Sequence, residues 1–209
     1  MVAGSPVVID LSHHNTVTNW ANLAASGIGA VVHKATEGTT YRDGTYHERK
    51  AKAKARGLLW GSYHFSGGGD VIKQVENYLN YAQPAADELI CLDFEPSYNG
   101  VNMTLEGMIL FVTEVRNALG RYPLIYGGSL LREATKNADS AVLKACPLWY
   151  ARYNASPIGV PPLWPHWTLW QFNDGNAGPA PLQTSGVGRC DHDTYSGTTA
   201  ELVAKWPLT

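Results

Sequence analysis

The chain has 209 residues, 44% of them apolar, enough to bury a core without disulfide or metal staples. Sixteen basic residues against eighteen acidic ones leave a formal net charge of −2, which gives no electrostatic footprint for nucleic acid or an anionic membrane surface. No apolar run reaches the ~18 to 20 residues of a membrane span. The opening MVAGSPVVIDLS has neither a basic n-region nor a long apolar stretch, so no secretory signal is expected. Cys91, Cys146 and Cys190 are too few and too isolated for a disulfide framework; buried thiols, made in a reducing compartment, are expected. Seven Trp and eleven Tyr stand against four Phe, a bias toward rings with one polar edge that can stack on sugars or bases, although core packing accounts for most of them.

In chain order, PVVIDLS (6–12) predicts a first strand, and TNWANLAAS a helix with Thr18 as N-cap and Gly27 as its stop. GAVVHKATEG (29–38) is a second strand. YHERKAKAKARG follows as an Ala/Lys/Arg-rich helix ending at Gly57, its basic run a solvated face or a weak attractor of anionic polymers. LLWGSYHF (58–65) is the third strand. In the next helix, DVIKQVENYLNYAQP, Val71, Val75, Tyr78 and Leu79 form one stripe and Pro84 closes it. ELICLDFE (88–95) is the fourth strand, and TLEGMILFVTEVRNALG the longest helix, from Thr104 to its stop at Gly120. YPLIYGG (122–128) and a weaker helix, SLLREATKNADSAVLKA, come next. The last strands are PLWYARY (147–153), HWTLWQF (166–172) and CDHDTYSG (190–197), and the Pro/Gly-rich segments between them cannot hold helices.

Strand alternating with helix predicts right-handed βαβ units and a parallel sheet, and eight strands predict closure. The expected fold is an α/β, modified TIM-like barrel: five βα units followed by three strands joined by loops. No linker or repeat marks a second unit, so one barrel domain over 1–209, with no separate binding module, is expected.

In such a barrel, polar residues at the C-terminal ends of strands read as functional. Asp10 ends the first strand, Glu37 the second, Asp93 and Glu95 the fourth, and Asp191 opens the eighth. Residues i and i+2 share a strand face ~6.5 to 7 Å apart, which sets Asp93 and Glu95 side by side in the mouth and turns Phe94 outward. Like charges at that range push one pKa up, leaving one protonated acid beside one anion. Glycoside cleavage needs that combination. The bland alternative is a carboxylate pair that caps a helix or grips a metal.

IDLSHHN (9–15), HKATEGTTYRD (33–43), GSYHF (61–65), LDFEP (92–96), LIYGG, LWYARY, LWQF and CDHDTYSG, in this order, resemble the motifs of glycoside hydrolase family 25 lysozymes, the Chalaropsis-type N-acetylmuramidases. The resemblance spans nearly the whole chain and implies a barrel of five βα units plus three strands. It implies that Glu95 is the general acid, that Asp93 steers the substrate's 2-acetamido group, and that Asp10 and Asp191 are further acids around the scissile bond. Tyr63, Tyr126, Trp149 and Trp170 match aromatic positions of the sugar groove, with Glu37 at its edge. The chain departs from the pattern at His14, where many members carry an aromatic residue. It departs again at Asp193, where the family has Asn, which leaves open whether Asp191 or Asp193 faces the site; alignment favours Asp191.

Metal ligation by His13, His14, His47 and His64 lacks a ligand motif, and no metal or cofactor is expected. SGGGD and SGVGR do not continue into Gly-Lys-Ser/Thr, so they do not predict a phosphate cradle. A family 18 chitinase has a further Asp two residues before its Asp-x-Glu, where this chain has Cys91. A barrel that binds glycan without cutting it is the non-enzymatic alternative. The resulting expectation is a monomeric muramidase acting on the β-1,4 bond between N-acetylmuramic acid and N-acetylglucosamine of bacterial peptidoglycan, by a retaining or an inverting route. Without a signal it would reach the wall as a phage-type endolysin released through a membrane lesion, or through a secretion machine.

Overall fold

The computed structural model describes residues 7–98 and 100–209; Pro6, the expected start of the first strand, and the rest of the opening segment lie outside them. Strand β1 (Val8–Leu11) leads to α1 (Trp20–Ala24), β2 (Ala30–Glu37), β3 (Tyr41–Arg42) and α2 (Tyr46–Lys54). Then come β4 (Leu59–Phe65), α3 (Val71–Ala82), β5 (Leu89–Asp93), α4 (Leu105–Leu119) and β6 (Leu124–Gly127). The chain continues through α5 (Ser129–Thr135), α6 (Ala141–Lys144), β7 (Leu148–Ala151) and β8 (Leu169–Asn173). It ends with a small hairpin, β9 (Gln183–Thr184) and β10 (Gly188–Arg189), then β11 (Asp191–Tyr195) and α7 (Thr199–Lys205).

The sheet order β1-β11-β8-β7-β6-β5-β4-β2, with β1 also paired to β2, closes an eight-stranded barrel, and β3 lies outside it on β2. Pairs from β1–β2 round to β7–β8 are parallel, whereas β11 is antiparallel to both its neighbours. Because β11 runs backwards, its first residue, Asp191, lies at the same end of the barrel as the last residues of β1 and β5. In register, Asp191 faces Asp10.

Inward residues alternate with outward ones as the pleat requires. Val8, Ala30, Val32, Leu89, Cys91, Leu124 and Leu169 form an interior cluster together with Leu202 and Leu208, which come from α7 and the tail after it. Gly61 makes that interior possible: a Cβ there would stand 2.9 Å from Leu89 Cβ and 3.2 Å from a Val32 methyl. The outward set, including Ile9, Val31, Ile90, Leu92, Phe94, Ile125 and Trp170, packs against the helices in a second, larger cluster. Phe94 faces outward as the alternation predicts.

Several local expectations change. Asn19, not Thr18, caps α1, accepting from the Asn22 amide, while the Thr18 hydroxyl donates to Gly186 O. The weak fifth helical segment breaks into α5 and α6. On α3 the deepest residues are Gln74, Val75, Asn77, Tyr78 and Ala82, with Val71 and Leu79 only partly buried. The basic run on α2 is largely spent on ion pairs: Lys50 and Lys54 with Glu88, Lys54 also with Asp87, and Lys52 with Glu48. All three cysteines are free and buried.

Candidate active site

At the C-terminal mouth of the barrel lies a pocket of about 260 Å³. Its wall carries Asp10, Asp93, Glu95 and Asp191, together with Tyr63, Tyr126 and Trp149. Seven of the nine sequence-predicted site residues therefore converge. Glu37 is not on the pocket wall; it reaches the site through an ion pair to Lys34 Nζ, which is. Trp170 is elsewhere. Alternation turns Leu169 and Gln171 inward, so Trp170 points into the helix layer, where it is fully buried. There it meets Trp167 and Phe172 with ring centroids 5.9 Å away, and its Nε1–H donates to Arg152 O at 2.8 Å. It is a core residue and cannot stack on a sugar.

Asp93 ends β5 buried, and Glu95 follows on the same side, more open to the mouth. Both carboxyls are pushed above their usual range, Asp93 by burial and then by the charge of Glu95, and Glu95 by burial. Lys34 opposes both shifts. Both acids of the pair therefore hold a proton more tightly than free carboxyls do. Asp93 Oδ1 is buried and has no hydrogen-bond partner among the described residues, which adds to the cost of ionising this carboxyl.

A second acidic group faces the first. Asp10 Oδ2 accepts from Gln171 Nε2 at 2.8 Å, and Gln171 Oε1 accepts from the Tyr126 hydroxyl at 2.7 Å. Burial and then Asp193 raise the Asp10 carboxyl; burial and then Asp10 push Asp191 up to about 10. Asp193 also points inward, two residues further down β11, but it is fully buried and off the pocket wall, and its Oδ1 accepts from Trp149 Nε1 at 2.6 Å. Asp191 is thus the one at the pocket, because the antiparallel strand descends from it.

Sequence reasoning gave no role to Lys34 or Gln171. Lys34 lies two residues beyond Val32 on the inward face, and its Nζ sits 4.6 Å from the centre of the Phe65 ring. The signal was a lysine on the same strand face as the apolar Ala30 and Val32. Gln171 was marked by being the polar residue in Leu-Trp-Gln-Phe. Tyr98, stacked on Phe65 at 5.2 Å, and Tyr153 extend the aromatic rim, and exposed His14 borders it beside His13 at 3.9 Å. His64 is buried between Thr36 Oγ1 (2.8 Å) and Gln74 Oε1 (3.2 Å), and His13 is held by Asp43. Among the described residues no group of three or more His, Cys, Asp or Glu is placed to hold a metal ion.

The pattern of the glycosyl hydrolases family 25 matches residues 9–179. The chain belongs to that family. Among its relatives, lysozyme M1 of Streptomyces globisporus is 25% identical over 94% of this chain and 69% of its own length. The bacterial lysozyme of Streptomyces coelicolor superposes with a TM-score of 0.84 at 26% identity, covering 97% of both chains. The muramidase of Trichobolus zukalii gives 0.80 at 28% identity, over 96% of this chain and 98% of its own. This family member is an enzyme of the lysozyme type, a peptidoglycan hydrolase built on a TIM-like barrel.

Proposed function

We propose that the enzyme hydrolyses the β-1,4 bond between N-acetylmuramic acid and N-acetylglucosamine, with Glu95 as general acid and Asp93 as its partner. The observation that carries this reading is the pair itself: two carboxyls on one side of the β5 end, both raised by burial, in a pocket walled by aromatic rings. The more open Glu95 is the one a glycosidic oxygen reaches first. It donates its proton as the bond to the anomeric carbon breaks. The substrate's own 2-acetamido oxygen attacks that carbon from the opposite face, and Asp93 accepts from the acetamide N–H and stabilises the positive charge. The Glu95 carboxylate then takes a proton from the water that opens the bridged ring, which gives net retention. Burial keeps the Tyr63 and Tyr126 phenols protonated; Tyr126 gives its proton to Gln171 Oε1, and Tyr63 remains a donor toward the sugar.

The site draws every group from one chain, and we take the active species to be a monomer of one catalytic domain acting on the bacterial cell wall. Muropeptide mass spectrometry tests the bond assignment: products must end in reducing muramic acid, and reducing glucosamine ends would reassign the bond. Uncut polymer with protein bound would mean a binder. Proton NMR of the fresh reducing end tests the route. The β-anomer first supports retention; the α-anomer first means inversion, with Asp93 or Asp10 as the base that activates water.

A further inference from the structure

Asp193 has no part in the reaction above, yet its carboxyl is fully buried directly beneath the site. It lies opposite Val8 of β1 and Gln171 of β8. Trp149 Nε1 fills one oxygen, and Oδ2 meets no N–H or hydroxyl donor among the described residues. What lies within hydrogen-bonding contact is the carboxyl of Asp10. Asp10 is held on its other side by the Gln171 amide, whose oxygen accepts from the Tyr126 hydroxyl. Two buried carboxylates in contact, with no donor between them, would each carry a desolvation cost of several kcal/mol. One proton between them satisfies both.

The surroundings offer no cation to do the same. The charges acting most strongly on Asp10 are Asp193 and Glu95, and on Asp193 it is Asp191, which is also in hydrogen-bonding contact with Asp10 from the mouth side. Lys34, from β2, acts on Asp93 and Glu95. Tyr63 from β4 and Tyr126 from β6 face the cluster as neutral phenols.

We propose that Asp193 is a positioning residue that shares one proton with Asp10 and thereby fixes the plane of the Asp10 carboxyl at the pocket wall. An amide at this position can donate to Asp10 but cannot hold a shared proton. The kinetic consequence rests on the muramidase reading; the proton sharing does not.

The test uses the full chain, with the Trp149 indole N–H followed by 1H–15N NMR and protonated carboxyls by infrared difference spectroscopy. In the wild type the Trp149 signal should move with pH as the pair titrates, and in Asp193→Asn it should lose that response. The same variant should lack one protonated-carboxyl band. On glycan substrate, Asp193→Leu should lower kcat by about tenfold or more with KM within about threefold, and Asp193→Asn should recover most of that loss. A pH-invariant Trp149 signal or an unchanged carboxyl band overturns the shared proton. Wild-type kcat in Asp193→Leu overturns the positioning role. Should Asp193→Leu not fold, the spectra of the near-isosteric Asn variant decide alone. A wild type that cleaves no glycan defeats the muramidase reading and leaves the spectroscopic result standing.

Discussion

One step of two residues along a strand separates two kinds of chemistry in this barrel. On the inward face, Val8 gives way to Asp10, Val32 to Lys34, Cys91 to Asp93 and Leu169 to Gln171. Below the step, aliphatic side chains cluster with Leu202 and Leu208, and Trp206 Nε1 donates to Trp60 O, so the C-terminal helix closes the lower end. Above it, Lys34 pairs with Glu37 and acts on Asp93 and Glu95, while Asp10, Asp191 and Asp193 crowd against one another. The lower layer supplies stability at no functional cost. The upper layer holds buried acids that oppose stability and that only the layer beneath makes tolerable.

The largest test of that division removes part of the plug. Leu202 is fully buried, and Leu202→Ala should cost about 2–5 kcal/mol in urea unfolding. Activity per folded molecule should stay near wild type at a temperature where the variant remains folded. A specific loss of turnover would show that the two layers are coupled. A smaller effect comes from the upper layer. A carboxyl held protonated more tightly when folded favours the folded state below its unfolded pKa, and that contribution is lost as pH rises toward the folded value. For Asp191 the window runs from 3.8 to about 10. The melting temperature should therefore fall as pH rises across that window, and Asp191→Asn should flatten the fall. An unchanged slope would mean that Asp191 ionises freely in the folded protein. The subtlest change is Lys34→Met. Lys34 lowers both Asp93 and Glu95, so its removal should move both limbs of the kcat/KM profile to higher pH. Limbs that stay in place would reduce Lys34 to a partner for Glu37.

Much of this was legible because the barrel strands are short apolar runs with clear punctuation, and because the i, i+2 rule sets Asp93 and Glu95 on one side. Three things escaped. The two-residue strand β3 and the hairpin β9–β10 are too short to carry a period. Helix α7 was announced by the capping box Thr198–Glu201, but seven residues between loops give little periodicity. Trp170 was placed in the groove by the family resemblance, against the alternation of its strand. In Leu-Trp-Gln-Phe the inward polar residue is Gln171, and the aromatic beside it must face the helices. The choice between Asp191 and Asp193 could not be made from the segment alone, since both share a face; only the antiparallel direction of β11 decides which is at the mouth.

The central claim is that the upper layer exists to present a transferable proton from Glu95. Glu95→Gln keeps the shape of the side chain and removes that proton. Its turnover on purified peptidoglycan, measured beside a melting curve that confirms an intact fold, should fall by at least about 100-fold. Wild-type turnover in a folded Glu95→Gln enzyme would contradict the account.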